Sequence, residues 1–141
     1  SEWQLHAAIY AARPGVQAVV HTHSPRATAL SCARRGIPPF HYMVLLAGGE
    51  VRCAAHATFG TAALAANAVA ALEGRRAVLL ANHGIVAVGA TLAAAVTLAF
   101  EVENLAGQYL DLLAAGLEPV LLTAQDLAEA AAQFAGYGRA T

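Results

Sequence analysis

The sequence of 141 residues predicts a single α/β domain. Segments with helical periodicity and clear start and stop signals alternate with short apolar runs typical of strands. The links between them are short, but the order lacks the regular strand–helix–strand repeat of a doubly wound parallel sheet. The chain contains no internal repeat and no linker-like segment, so one domain, residues 1–141, is expected.

The start and stop signals define the elements in order. Ser1 and Gln4 form a capping box for a first helix over residues 1–12. Ser24 and Pro25 fit the N-cap and first position of a second helix, which is predicted to end at Gly36. The remaining predicted elements are strands at residues 18–23, 40–46 and 51–54, the last two joined by a tight connection at 47–50, a helix over 62–73 closed by Gly74, a hairpin with strands at 77–81 and 85–88, a helix over 92–115 capped by Thr91, and a helix over 123–134.

The composition excludes several classes of function. No apolar run approaches the roughly 18 residues of a membrane span. A net charge of −1 with scattered arginines gives no basic stripe for nucleic acid or an anionic membrane surface. All eight basic residues are arginine, so no lysine can form a Schiff base with a carbonyl substrate. Cys32 and Cys53 lack the spacing of a redox motif or a disulfide framework, which predicts reduced thiols in a cytoplasmic protein.

Two histidines at the end of a predicted strand form the most informative motif. Because side chains alternate along a strand, His21 and His23 point to the same face, roughly 7 Å apart at their roots. His83 lies at the predicted hairpin tip. Three neutral imidazoles with an open coordination position are typical of a catalytic zinc site. The alternative is that they are packing residues or a pH-sensitive patch.

Other polar residues have two interpretations each. Glu2, in the first turn of a helix, is favoured there by the helix dipole, but it could also move a proton if it faced the metal. His41 and Tyr42 are predicted to lie on opposite faces of a strand, so that they cannot both serve one site in one subunit. His6 and His56 have no partner at ligand spacing and are interpreted as structural.

Glu101 and Glu103 occupy different sides of the longest predicted helix. One is expected to be solvated, and the other could brace a ligand histidine as a hydrogen-bond acceptor. The spacing does not decide between them.

Several motifs, taken in order, resemble the class II aldolase/adducin family. They are Ser1-Glu2-Trp3, His21-Thr22-His23, Ile37-Pro38 with His41-Tyr42-Met43, Gly48-Gly49, Ala57-Thr58-Phe59-Gly60-Thr61, Asn82-His83-Gly84 and Tyr137-Gly138. The resemblance covers nearly the whole chain. It implies a three-layer α/β/α fold around a mainly antiparallel sheet, and a homotetramer with active sites between subunits.

The resemblance also implies a reaction and roles for individual residues. The reaction would be the reversible aldol cleavage of a ketose 1-phosphate, of the L-fuculose 1-phosphate type, to dihydroxyacetone phosphate and a short aldehyde through a metal-stabilised enediolate. The resemblance implies one Zn²⁺ per subunit, or another divalent ion, held by His21, His23 and His83. It implies Glu2 as catalytic acid/base, Tyr137 as a proton donor or a group that closes over the substrate, Tyr42 and Phe59 lining the active site from a neighbouring subunit, and Ser1 in the phosphate pocket.

Two departures from the family pattern and several alternatives remain. The family's phosphate pocket is built mainly upstream of Ser1, so these residues are expected to lack most of it. Ala55-His56 stands where close relatives have Pro-Tyr, which could alter the aldehyde pocket or a subunit contact. The alternatives are 4-epimerisation, decarboxylation or dehydration of a sugar phosphate on the same scaffold, and a non-catalytic module like that of adducin.

Overall fold

The computed structural model describes residues 2–136, which form helices on both faces of a four-stranded sheet. The helices are α1 (Trp3–Ala12), α2 (Pro25–Cys32), α3 (Ala62–Ala71), α4 (Leu92–Ala114) and α5 (Ala124–Gly136), and the strands are β1 (Ala18–Thr22), β2 (Arg52–Ala54), β3 (Ala77–Leu80) and β4 (Gly84–Gly89). Within these residues, no helix combines the length and apolar character needed to cross a bilayer.

The strands lie in the order β1-β4-β3-β2. The pairings β1–β4 and β3–β4 are antiparallel, whereas β2 pairs with β3 in parallel. The predicted hairpin is β3–β4, and it places its tip at the same end of the sheet as the end of β1, where His21 pairs with Val86. The expected layered fold with a mainly antiparallel sheet is therefore confirmed.

The two faces of the sheet carry two separate apolar cores. Alternation along β4 sends Ile85 to the core shared with α2 and α4, and Val86 to the core shared with α1 and α3. β3 alternates in the same way, with Leu79 on the first face and Leu80 on the second. β3 is buried along its whole length because both of its faces are covered by helices.

The strand predicted over residues 40–46 is wrong. Tyr42–Ala47 forms a 3₁₀ helix, and the Nδ1 atom of His41 accepts a hydrogen bond from the backbone N–H of Met43 at its start. The aromatic and β-branched composition suggested a strand, but Met43, Val44 and Ala47 pack against one core at a spacing of three to four residues. That period is helical, and it overrides the local preference for a strand.

Helix α2 ends earlier than predicted. It stops at Cys32, and the left-handed residue after it is Arg34, with a φ of 52°. Gly36 is needed for a different reason, since a Cβ there would lie 2.5 Å from the carbonyl oxygen of Val51. The glycine allows the chain to pass close to the segment leading into β2, where Ile37 and Val51 form an isolated antiparallel bridge.

Candidate metal centre

Three imidazoles converge at the end of the sheet. His21 is the fourth residue of β1, His23 follows the strand, and His83 lies in the β3–β4 turn. Their ring centroids are 4.9 to 5.0 Å apart in every pairing. One ligand atom from each ring lies within 4.8 Å of the other two. The predicted convergence of the three side chains is thus present.

The orientation of His21 is set by the neighbouring strand. Its Nδ1 lies 2.8 Å from the carbonyl oxygen of Ile85, which can only accept, so Nδ1 carries the proton. The Nε2 lone pair consequently points into the cluster. Gly84 permits this close pairing, since a Cβ there would lie 2.4 Å from the carbonyl oxygen of Thr22 and 2.9 Å from the His23 ring.

Glu2 projects into the same cluster from the start of α1. It occupies the N-cap position, but its side chain makes no capping hydrogen bond. Instead, Oε2 lies 2.7 Å from Nε2 of His21, and Oε1 lies 3.2 Å from Nε2 of His83. The helix-dipole interpretation therefore does not describe where this carboxylate points. Ser1 of the predicted capping box lies outside the described residues.

The donor atoms fit a bound cation. Nε2 of His21 and Oε1 of Glu2 are buried and have no hydrogen-bond partner among residues 2–136. When Nδ1 carries the only proton of His21, the Nε2 lone pair faces a carboxylate oxygen of Glu2. Two acceptors at this distance repel each other, so the arrangement requires a positive charge between them. The three imidazoles form a nitrogen donor set suited to Zn²⁺, with the Glu2 carboxylate beside them.

Burial is the main influence on His21 itself. It lowers the pKa of this imidazole, while the hydrogen bond to Ile85 and the charge of Glu2 act in the opposite direction. Nearby His83 and His23 add to the lowering. Burial also lowers the pKa of His6, one turn along α1 from Glu2. The lowered pKa favours the neutral imidazole, which is the form that coordinates metals.

A cavity of about 590 Å³ opens over the cluster. Besides Glu2 and the three histidines, its lining includes Phe59 and His56. Phe59 is 71% exposed, leaving an aromatic ring free at the rim. His56, interpreted from the sequence as structural, is an exposed side chain on this wall.

Tyr42 lies outside the lining of that cavity. It borders a different cavity with Met43 and Phe134, and its ring is 5.8 Å from that of Phe134. The expectation that His41 and Tyr42 face opposite ways is wrong, because their rings stack with centroids 4.7 Å apart. The 3₁₀ helix replaces the strand on which that expectation depended.

Comparisons with known proteins identify the family to which this chain belongs. The family described as "Class II Aldolase and Adducin N-terminal domain" matches residues 1–110. The chain belongs to the class II aldolase and adducin family. It is 53% identical over 139 residues to the 5-methylthioribulose-1-phosphate/5-deoxyribulose-1-phosphate aldolase of Rhodospirillum rubrum, covering 98% of this chain and 62% of that protein.

Two further members of the family are similar. The L-fuculose phosphate aldolase of Escherichia coli strain K12 is 43% identical over 98% of this chain and 65% of its own length. A solved structure of L-fuculose 1-phosphate aldolase superposes with a TM-score of 0.89 at 44% identity, over 95% of this chain and 63% of that one. The chain thus spans somewhat less than two thirds of these class II aldolases.

Glu103 on α4, the longest helix, does not accept a hydrogen bond from a candidate ligand histidine. Both carboxylate oxygens of Glu103 accept hydrogen bonds at 2.8 Å, from the backbone N–H groups of Arg26 and Ala27. Glu103 therefore caps the start of α2, where the Ser24 side chain makes no capping bond. The acceptor that orients His21 is a backbone carbonyl, which no residue type in the sequence could reveal.

Two residues expected in the site of a class II aldolase, Ser1 and Tyr137, lie outside the described residues. The sequence interpretation missed His56 as a lining residue. The available signal was its position in the same segment as Phe59, immediately after β2. A segment that contributes one wall residue to a cavity commonly contributes others.

Proposed function

We propose that the protein is a metal-dependent class II aldolase that cleaves a ketose 1-phosphate reversibly into dihydroxyacetone phosphate and a short aldehyde. The observation that carries the proposal is the convergence of three imidazoles and one carboxylate, with buried lone pairs facing each other, beneath an open cavity. The absence of lysine in the sequence supports a metal route over a Schiff base.

In this proposal His21, His23 and His83 hold one divalent ion per subunit, and the donor set favours Zn²⁺. The bound ion supplies a Lewis acid that polarises the substrate carbonyl and stabilises negative charge on the adjacent oxygens. Glu2 reaches the same position from α1, within 3.2 Å of two of the three imidazoles. It is therefore suited to move a proton at the carbon next to that carbonyl.

The proton balance of cleavage assigns two roles. The hydroxyl on the leaving side loses its proton, the carbon–carbon bond breaks, and the aldehyde departs. Glu2, in its protonated form, then gives its proton to the carbon that keeps the electron pair, giving dihydroxyacetone phosphate, and the resulting carboxylate takes up a proton from solvent for the next turnover. The family resemblance assigns the hydroxyl proton to Tyr137, and it assigns Ser1 to the phosphate group.

The named relatives share the aldolase reaction but differ in the sugar phosphate, and therefore in the aldehyde, for which they are named. One relative is named for 5-methylthioribulose and 5-deoxyribulose 1-phosphates, and others for L-fuculose phosphate. We propose a ketose 1-phosphate of this group, with L-fuculose 1-phosphate and 5-methylthioribulose 1-phosphate as the compounds to test. Phe59 and His56 on the cavity wall are available to contact the part that differs between them.

The resemblance also supports a homotetramer in the cytoplasm with active sites between subunits. The exposed aromatic rings of Phe59 and Tyr42 are consistent with surfaces that another subunit covers. The cytoplasmic location rests on two free cysteines without a disulfide framework. Both assignments are proposals about the whole protein.

The deciding experiment pairs elemental analysis with a cleavage assay on the full-length protein. Wild type is expected to hold about one zinc per subunit and to release dihydroxyacetone phosphate from one of the two substrates. His23→Ala is expected to lose both properties. His41→Asn is the matched control, since it lies outside the cluster and keeps an acceptor for the Met43 N–H.

A wild-type protein without bound metal would overturn the proposal. Metal bound without cleavage of either compound would keep the metal site and reject aldol cleavage of these substrates. The epimerase, decarboxylase and dehydratase alternatives would then be tested on other sugar phosphates.

A further inference from the structure

The β3–β4 turn that carries His83 is tied to the end of helix α2. The backbone N–H of Asn82 donates to the carbonyl oxygen of Ser31 at 2.9 Å. The amide group of Asn82 donates to the carbonyl oxygen of Cys32 at 3.3 Å. On its other side, the Asn82 amide oxygen accepts from Nε of Arg34 at 2.9 Å. The residue before the candidate ligand is thus held by three hydrogen bonds.

Ser31 contributes a fourth bond through its side chain. The backbone N–H of His83 donates to Oγ of Ser31 at 3.2 Å. That Oγ in turn donates to the carbonyl oxygen of Thr28 at 2.8 Å, so the direction of the hydroxyl is fixed and its lone pair faces His83. Ser31 is fully buried, the one polar residue in that class among residues 2–136.

The hydrogen bonds to α2 fix the position of the turn relative to the helix, because the hydrogen bond within the turn joins only neighbouring residues. The N–H of His83 also donates to the carbonyl oxygen of Leu80, at 3.0 Å, within the turn. Asn82 adopts a left-handed conformation with a φ of 58°, which asparagine tolerates better than most other non-glycine residues. The bond to Ser31 Oγ ties the backbone of His83 to helix α2.

Helix α2 links two of the candidate ligands. It begins at Pro25, two residues after His23, where Glu103 caps its first turn. It ends one residue after Ser31, beneath the turn that carries His83. Helix α2, held at both ends, therefore adds a second connection between these two imidazoles beside the β1–β4 pairing.

We infer that Ser31 is a positioning residue for His83, and that its hydroxyl preorganises the metal ligand set. The inference rests on the proposed metal function. The hydroxyl touches neither the substrate nor the ligand ring, and it acts by fixing the backbone from which the ring projects. Interactions behind a metal ligand typically contribute about 10- to 100-fold in metal affinity.

The test compares Ser31→Ala with Thr28→Val in the full-length protein. Thr28 lies one turn earlier on the same helix, and its Oγ1 has no hydrogen-bond partner among the described residues, so removing it is a matched loss of a hydroxyl. We expect Ser31→Ala to weaken Zn²⁺ binding by about tenfold and to change the visible absorption spectrum of the Co²⁺-loaded protein. Thr28→Val should match wild type in both measurements.

The metal-free melting temperature separates positioning from general stability. If Ser31→Ala lowers that temperature but keeps wild-type Zn²⁺ affinity and Co²⁺ spectrum, Ser31 is a packing residue and the inference fails. The same holds if Thr28→Val weakens binding as much as Ser31→Ala. A wild-type protein that binds no metal would reject the proposed function and the inference together. A wild-type protein that binds Zn²⁺, with the same affinity in Ser31→Ala, would reject the inference alone.

Discussion

The two ends of the central sheet satisfy their polar groups differently. Where β2 and β3 begin, arginines donate to backbone carbonyl groups at the end of helix α3 and in the segment between α3 and β3. Arg13 donates to Leu72 at 2.9 Å and also to Arg75, and Arg52 donates to Glu73 at 3.0 Å. At the opposite end, imidazole nitrogens and carboxylate oxygens face one another, and two of these atoms lack any hydrogen bond among residues 2–136.

The difference has a simple electrostatic basis. The last carbonyl groups of a helix carry partial negative charge and lack partners within the helix. Guanidinium groups supply several donors and a permanent charge, so the arginines satisfy carbonyl groups at this end from within the chain. The histidine end presents acceptors to acceptors, and it becomes complete only when a cation is added. One end is therefore suited to stability, and the other to binding.

The largest expected effect is at the histidine end and affects catalysis. Glu2→Gln removes the group proposed to move a proton but keeps its size. We expect kcat for sugar-phosphate cleavage to fall by about 10²- to 10⁴-fold, the usual contribution of a general acid/base. Metal content should remain near wild type because the three imidazoles are untouched. Glu118→Gln, an exposed carboxylate between α4 and α5, is the control.

Wild-type kcat in Glu2→Gln would remove Glu2 from the mechanism. A loss of bound metal to the same extent as activity would instead make it a ligand. Either result would change the role assigned to Glu2 at the histidine end. The stabilising role assigned to the arginines at the other end would remain.

The next effect combines stability with metal binding. Gly84→Ala places a Cβ against the backbone of Thr22 and the ring of His23, which must move. We expect the free energy of unfolding to fall by about 3 kcal/mol, as for overpacking against a fixed backbone, and Zn²⁺ affinity to fall with it. Gly15→Ala is the control, since no atom lies within 4 Å of its added Cβ. Chemical denaturation and metal titration measure both, and equal stability of the two variants would contradict the expectation.

Much of this arrangement could be predicted from the sequence because it depends on local patterns. The short apolar run before His21 contains two β-branched residues and is typical of a strand, and Asn82-His83-Gly84 separates two apolar runs as a hairpin turn does. Thr61 and Thr91 cap the helices that follow them, as their residue type indicates.

The rest depends on contacts between distant segments. The Glu2 carboxylate turns towards His21, 19 positions away, and Ser31 meets the backbone of His83 across 52 positions. Neither residue type signals such a partner. Residues 40–46 carry the composition of a strand, and only the core against which they pack selects the 3₁₀ helix.

At the arginine end, Arg13→Met should lower stability without affecting metal binding. The variant loses the bonds to two carbonyl groups, that of Leu72 at the end of α3 and that of Arg75 before β3, and the free energy of unfolding should fall by about 2 kcal/mol. Zn²⁺ affinity should be unchanged. Arg26→Met is the control, because its pair with Asp111 is exposed and long at 3.4 Å, and such pairs contribute little. A weakened metal site in Arg13→Met would show that the two ends are coupled.

The smallest effect lies at neither end, in the capped start of α5. The hydroxyl and backbone N–H of Thr123 donate to Asp126 at 2.7 Å each, and these bonds lower the pKa of that carboxyl below 3.8. A lowered pKa contributes stability above the unfolded-state value, and this contribution is lost as the pH falls through the folded-state value. Asp126→Asn should therefore reduce hydrogen-exchange protection in the first turn of α5 at pH 7. The difference from wild type should shrink as the pH falls below 3.8 and disappear only below the lowered folded-state pKa, whereas Zn²⁺ affinity at pH 7 should be the same in both proteins. A difference that persists in strong acid would mean that the side-chain amide, and not the lost charge, alters the cap.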